Sequence, residues 1–249
     1  MFKQLSRAPG RIARPVWVGL AGAGGVLREL MRSPQSALGT LIVLFFLMLA
    51  LFGPQIAPYR ANDQSSAPRL EPGGEHLFGT DYLGRDVFSR VILGASSIFR
   101  TAGFGTLIAV VIGTFVGLFI GYQGGTVDEI AGRVIDALLA MPALLIALVI
   151  LGIVRNLNFE PGSWQARLAD NSVLLVIALV YVPIVARVVR SSTLEIKTRE
   201  FIEAAQMRGE SRLYIIFREI FPSVVPALVV EASLRFSYAI FLVASLGFL

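Results

Sequence analysis

Residues 101–127, TAGFGTLIAVVIGTFVGLFIGYQGGTV, contain no charged side chain. A bilayer-crossing helix needs about 20 mostly apolar residues, and this run exceeds that. Gly103, Gly105, Gly113, Gly117 and Gly121 stud it. Gly113 with Gly117, and Gly117 with Gly121, form Gly-x-x-x-Gly pairs, which let helix backbones approach closely in lipid. Four further stretches share its character. The run from Ser33 to Tyr59 is uncharged, with an almost wholly aliphatic and aromatic core at Leu38–Phe52. Ala137–Val154 gives a third span, in which Pro142 removes a backbone donor and is expected to cause a kink. Asn171–Ala186 is a fourth, short enough that Arg187 and Arg190 are expected to snorkel toward head groups. Ile220–Leu249 supplies at least one more. The expected fold is therefore all-α and integral to the membrane, a polytopic bundle of five to six spans.

Composition agrees. The chain is 55% hydrophobic and 16% charged, with mean hydropathy +0.71. Soluble domains carry about 25% charged residues, too many for this chain to match. The absence of cysteine removes disulfides and thiolate metal sites, and a single histidine, His76, excludes a multi-histidine metal cluster. The net charge of +5 comes from basic residues that flank apolar runs, which fits membrane orientation better than nucleic-acid binding. Lys3, Arg7, Arg11, Arg14, Arg28 and Arg32 precede the first span. If that end is cytoplasmic, alternation puts 127–136 and 187–219 inside as well, and Tyr59–Arg100 and 155–170 outside. With Arg100 and Arg235 left unassigned at or within spans, Lys and Arg then number 14 inside and six outside, in line with the positive-inside rule. Residues 1–32 are expected to be a cytoplasmic segment, including a glycine-rich run at Val16–Val26 too short to span. Residues 33–249 form the membrane domain, with an outer loop at 60–96. The first apolar run is too long, and too far from the start, for a cleavable signal. The chain stops within an apolar run at Leu249, so a truncated final span is expected.

The inner loop at 191–222 carries the strongest functional signal. Ser192 or Thr193 is expected to cap a helix, with Glu195 close behind. Glu203, Ala204, Ala205 and Arg208 lie in a helix-prone block whose alanines present a small surface. Gly209 permits a turn or a close approach that a β-carbon would prevent. Leu213, Ile216 and Phe217 recur at helical spacing and predict a second, amphipathic segment. Pro222 stands where the next span would begin, a position that tolerates it. Two short helices joined at Gly209 would make a knob that fits a groove in a soluble partner.

The spacing of Glu203-Ala204-Ala205, Gly209 and Pro222 resembles the coupling loop of ABC importer permeases of type I. Tyr181–Arg190, Lys197–Phe201, Asp136–Pro142 and the Gly79-Thr80-Asp81…Gly84-Arg85-Asp86…Ser89-Arg90 signature resemble the "C"-type subunit of its dipeptide, oligopeptide and nickel branch. The match covers roughly 33–249. The chain departs from the branch at Glu219, where His is usual, at Phe221, where Leu is usual, and at Ser96, where Arg often stands. The resemblance implies a permease forming half of a solute pathway, with a second permease subunit, two ATPase subunits and an extracytoplasmic solute-binding protein as partners. It implies peptide as solute, with nickel or another small solute as the alternative. ATP and its magnesium would belong to the ATPases, because this chain has no P-loop sequence and is expected to bind no cofactor itself. A secondary transporter would show inverted repeats, and none is evident. A membrane enzyme would need a catalytic constellation, and no Gly-x-Ser-x-Gly elbow occurs.

Two charge groups remain. Asp81, Arg85, Asp86 and Arg90 sit near four-residue spacings and are expected to pair along an outer helix, as a packed rim or a partner contact. Glu231 and Arg235, at i and i+4 inside the last apolar stretch, are expected to neutralise each other, as a structural or a pathway-lining pair.

Overall fold

The computed structural model describes residues 31–157 and 159–247. The Val16–Val26 run and the final two residues lie outside them. The chain divides into two compact units, Met1–Met48 and Leu49–Leu249. Helix α1 (Pro34–Ile56) runs through the boundary. It is followed by α2 (Val87–Gln123), α3 (Gly125–Leu139), α4 (Ala143–Asn156), α5 (Trp164–Asp170), α6 (Ser172–Lys197) and α7 (Glu200–Met207). Helix α8 covers Arg212–Gly247. Four of these, α1, α2, α6 and α8, are long and apolar enough to cross a membrane, and α3 with α4 makes a fifth crossing if the bent pair counts as one span. The lipid-suited surface is explicit: Leu41, Val43, Phe45, Met48 and Leu51 on α1 and Phe104, Leu107 and Phe115 on α2 are all exposed. In water such a surface would be an interaction site or a liability; in hydrocarbon it is the ordinary exterior.

The centre of the larger unit is the pairing of α2 with α6. A β-carbon at Gly105 would meet Ile177 at 2.8 Å, one at Gly113 would meet Val185 at 2.7 Å, and one at Gly121 would meet Thr193 at 2.8 Å. The contacts climb in step along both chains, so the two helices run parallel. Their C-terminal ends therefore lie together, where Lys197 Nζ donates to the Tyr122 carbonyl at 2.6 Å. Since α2 and α6 point the same way, α3 and α4 between them must carry the chain back. Ala147 and Leu151 of α4 pack with Val176, Ile177, Val180 and Tyr181 of α6, joined by Ala239, Leu242 and Leu246 of α8. The last turns of α1 seat on the start of α2, with buried Gly53 against Ile92 and Ser96 and the Ser96 hydroxyl donating to Ala50 O at 2.9 Å.

Several expected boundaries move. Helix α2 starts at Val87, not near Thr101, so the expected 60–96 loop ends at Asp86. Arg100 bounds the apolar run but not the helix. At 37 residues α2 is about 55 Å long, so roughly half lies beyond a hydrocarbon core of about 30 Å. The third span is broken rather than kinked: α3 and α4 meet at 82°. Ala140 closes α3, and Pro142, with no N–H to continue the ladder, stands at the N-cap of α4. Helix α6 runs through Ser192 and Thr193 to Lys197. Thr193 caps nothing: its hydroxyl donates back to Val189 O at 2.7 Å, and its side chain is buried against Gly121. The expected 191–222 loop thus contracts to a connection between Lys197 and Arg212 that contains α7.

Pro222 also lies inside a continuous helix rather than at its start. Ile215–Ile220 form a π-helical turn, in which the Phe221 N–H reaches Ile216 O. The wider turn absorbs a residue that has no N–H of its own to offer. Of the expected amphipathic stripe, Ile216 is buried, Leu213 is 58% exposed and Phe217 sits at the edge, its ring 6.0 Å from Phe115.

Candidate functional site

The elbow between α6 and α8 is built from the cap outward. Helix α7 buries Ile202 and Ala205 against Ile215, Ile216 and Ile220 and the end of α2 at Leu118. Its opposite face leaves Phe201, Glu203 and Met207 exposed, Met207 by 83%. The alanines divide: Ala205 is fully buried and Ala204 half-buried. Arg208 ends α7, and Gly209 follows at φ 78°. Glu210 N–H bonds Ala205 O at 3.2 Å and Gly209 N–H bonds Gln206 O at 2.9 Å, the paired bonds of a Schellman cap. Of the two expected roles for Gly209, the turn is the one the fold uses. No atom lies within 4 Å of where its β-carbon would be, so the space above it is open.

Ser211 restarts the helix, its hydroxyl accepting from Tyr214 N. Arg208 then straps the elbow together, with Nη2 3.6 Å from Glu219 Oε1 and Nε 3.7 Å from Glu210 Oε1. Pro222 is exposed. Beneath the elbow, Tyr122, Gln123, Lys197, Gln206 and Arg212 line a polar cleft of about 370 Å³.

The second group lies at the opposite end of α2, and its chemistry differs from the expectation. Asp81 and Arg85 do pair, Nε to Oδ2 at 2.7 Å, but within a turn and not on a helix. Asp81 also accepts from Leu83 N at 2.8 Å and Arg85 N at 3.0 Å, while Gly84 at φ 75° breaks any helical path. A β-carbon at Gly84 would collide with Ser66 O. Burial pushes the Asp81 carboxyl up, but the N–H groups of Arg85 and Leu83 and the Arg85 guanidinium outweigh it, holding the pKa below its ordinary value. Arg90 is farther off, 3.9 Å from Asp81, and donates to Ala61 O at 3.1 Å.

Asp86 does not pair with Arg90. It is the N-cap of α2, accepting from Ser89 N at 2.7 Å, and its other oxygen contacts His76 Nδ1 at 2.9 Å. Both residues are buried, and Tyr59 stacks on His76 with ring centroids 4.9 Å apart. Burial raises the Asp86 pKa, and the stronger opposing pull of Ser89 and His76 leaves it below its ordinary value. A carboxylate with a depressed folded-state pKa adds stability that is complete above its unfolded value, about 3.9, and is lost as pH falls through the folded value. Hydrogen exchange in residues 57–86 should therefore be slower in the wild type than in Asp86→Asn above about pH 4. The two should converge in stronger acid. Equal protection at neutral pH would contradict the cap's role.

Glu231 and Arg235, both on α8, meet as expected, Nε to Oε1 at 2.7 Å. The Nε–H does not point at Oε1, so the contact is charge pairing without an aligned hydrogen bond. The guanidinium also lies over the rings of Tyr238 and Tyr181, at 5.1 and 5.8 Å. The cation is thus enclosed by groups of its own chain, which gives a structural reason for a charge pair in an apolar stretch.

The elbow and the outer signature lie at opposite ends of α2, and Glu231 and Arg235 belong to neither. Sequence reading missed His76 and Glu219 as partners of Asp86 and Arg208. It also missed that Arg190 and Arg187 are taken up by Asp128 and Asp136 of α3. For Glu219 the signal was its standing where the branch usually has His. Arg190 and Asp128 are 62 residues apart, with no local pattern joining them.

Residues 109–249 match the family of binding-protein-dependent transport system inner membrane components, and the chain belongs to it. Residues 24–72 match the N-terminal transmembrane domain of oligopeptide transport permease C. The chain is 34% identical to the dipeptide transport system permease protein DppC of Alkalihalophilus pseudofirmus, over 89% of this chain and 69% of that protein. It is also 34% identical to the glutathione transport system permease protein GsiD of Pectobacterium atrosepticum, over 89% of this chain and 70% of that one. It is 35% identical to GsiD of Escherichia coli, with the same coverage. This is a transport subunit of an ABC importer and not an enzyme; such importers combine membrane permeases with ATPases and a binding protein.

Proposed function

We propose that this chain forms half of a peptide pathway and that the elbow at 198–211 is the piece gripped by an ATPase subunit in the cytoplasm. The observation that carries the reading is the Gly209 cap. It turns the chain sharply between two helices, anchors Ala205 inward and leaves Glu203, Met207 and the space above Gly209 outward. A second, related permease would complete the pathway, two ATPases would sit beneath, and a binding protein would deliver solute at the Asp81–Arg90 end. Peptide as solute is supported by relatives named for dipeptide and glutathione, and by the match to an oligopeptide permease segment. The cytoplasmic assignment is supported by the basic bias of the sequence around the elbow, where Arg187, Arg190, Lys197, Arg199, Arg208, Arg212 and Arg218 cluster. ATP binding by the partners would move the elbows, and solute at the far end would bias the same equilibrium.

Because this chain has no cysteine, Met207→Cys introduces a single thiol into it. In the assembled importer, a photoactivatable thiol reagent at that position should crosslink to an ATPase subunit, and dipeptide uptake should depend on ATP. Labelling that never reaches an ATPase would overturn the elbow's role. ATP-driven uptake of another solute, with no response to peptides, would overturn the substrate.

A further inference from the structure

Helix α3 is held by charge more than by packing. It exposes an apolar stripe, Val127, Ile130, Val134 and Leu138, and buries only Gly132 and Ile135. Both its ends are breaks in the helical path. Gly124 and Gly125, at φ 67° and 60°, separate it from α2, and the 82° break at Ala140–Pro142 separates it from α4. What fixes it is a clasp to α6. Arg190 donates from Nε and Nη2 to the two oxygens of Asp128, at 2.5 and 2.8 Å. Both side chains are largely buried, 24% and 15% exposed. Gly132 makes room for it: a β-carbon there would stand 3.2 Å from Arg190 Nη2. A second, exposed strap joins Arg187 to Asp136 at 3.0 Å. The remaining pair on α3, Glu129 with Arg133, is internal and exposed.

Helix α6 continues unbroken from Arg190 to Lys197 and then enters the elbow. We infer that Asp128 and Arg190 are positioning residues that make α3 travel with α6, so that a displacement of the elbow carries α3 and its apolar stripe along as one body. The bidentate geometry and burial favour this. A planar guanidinium on a carboxylate fixes orientation as well as distance, and removing one partner strands the other away from water. A coupling claim needs an element whose position both ends bias, and α3, set off by a break at each end, would be that element. The inference rests on the elbow being the moving input, but its test needs no identified solute.

The test uses spin labels at Ile130 on α3 and Met207 on the elbow, in the assembled importer in lipid vesicles, with distances measured without nucleotide and with trapped ATP. In the wild type the distance should be the same in both states. In Asp128→Asn it should broaden or shift on the scale of one helical turn, about 5 Å. Asp128→Glu, which keeps the charge, should recover the narrow wild-type distribution. Asp136→Asn, which breaks only the exposed strap, should leave it unchanged. A wild-type distance that changes with ATP, or an Asp128→Asn distribution identical to wild type, would overturn the inference. Failure of the elbow reading appears separately, as a Met207 thiol that never reaches an ATPase.

Discussion

Gly117→Leu should abolish accumulation of the folded permease. A β-carbon at this position would stand 2.6 Å from the Ala186 carbonyl oxygen and 2.7 Å from Val189 Cβ. Neither obstacle is the tip of a flexible side chain. One is helix backbone and the other is the branch point of a fully buried residue, so the helices themselves must separate. In lipid that separation is costly, because close packing is what holds helices together where the solvent is as apolar as their side chains. The collision also falls in the middle of a ladder: Gly105, Gly113 and Gly121 make equivalent contacts along the same face. Relief at one position therefore opens the others. Gly117→Ala should give a graded version, a loss of about 1–3 kcal/mol, the usual cost of overpacking a tight site. Gly39→Ala is the internal control, since nothing lies within 4 Å of its would-be β-carbon. Membrane abundance and thermal unfolding in detergent should rank wild type and Gly39→Ala together, Gly117→Ala lower and Gly117→Leu lowest. A Gly117→Leu protein that unfolds with the wild type would mean that the α2–α6 pairing is not what holds the unit together.

That ladder was legible in the sequence in part. Glycines four apart in an uncharged run announce a close helix contact, but not which helix answers it. The partner positions in α6, Val185 and Val189, carry no signal beyond being apolar. Membrane class was legible for a similar reason: hydropathy and charge report on solvent, and the solvent is the bilayer. Boundaries were less so, because the end of an apolar run is not the end of a helix. Arg100 and Arg187 mark where hydrocarbon stops being suitable, yet α2 and α6 continue past them on the strength of a cap at Asp86 and a buried Thr193. The proline at 142 was read correctly as a missing donor, but a missing donor does not say how far the chain turns, and the 82° break is larger than a kink. The elbow's glycine was legible because positive φ has a residue signature. The Asp81–Arg90 signature was legible as a pattern and misread as a helix, since a carboxylate that takes its own loop's N–H groups uses the same spacing as an ion pair along a helix.

Gly209→Val is expected to lower solute uptake by roughly tenfold or more, the scale of coupling free energies between sites, while membrane insertion and abundance stay near wild type. The reason is conformational. A non-glycine residue in the left-handed region costs about 1–2 kcal/mol, and a β-branched one is among the least tolerated there. The cheapest relief is to release the Glu210 and Gly209 N–H groups from Ala205 and Gln206, which lets α7 swing relative to α8. The α2–α6 pairing does not run through this turn, so the bundle survives, while Ile202 and Ala205 loosen from their seat and the presentation of Glu203 and Met207 is lost. Asparagine adopts the left-handed region more readily than other non-glycine residues, so Gly209→Asn should keep the turn and most of the uptake. The pair of variants separates two meanings of an open glycine. If Asn performs like wild type and Val fails, the position is needed for its backbone angle. If both fail equally while ATPase subunits still co-purify, a partner surface closes directly over the site and excludes any side chain. If Val transports normally, the angle of α7 does not matter and the elbow is not where the force enters.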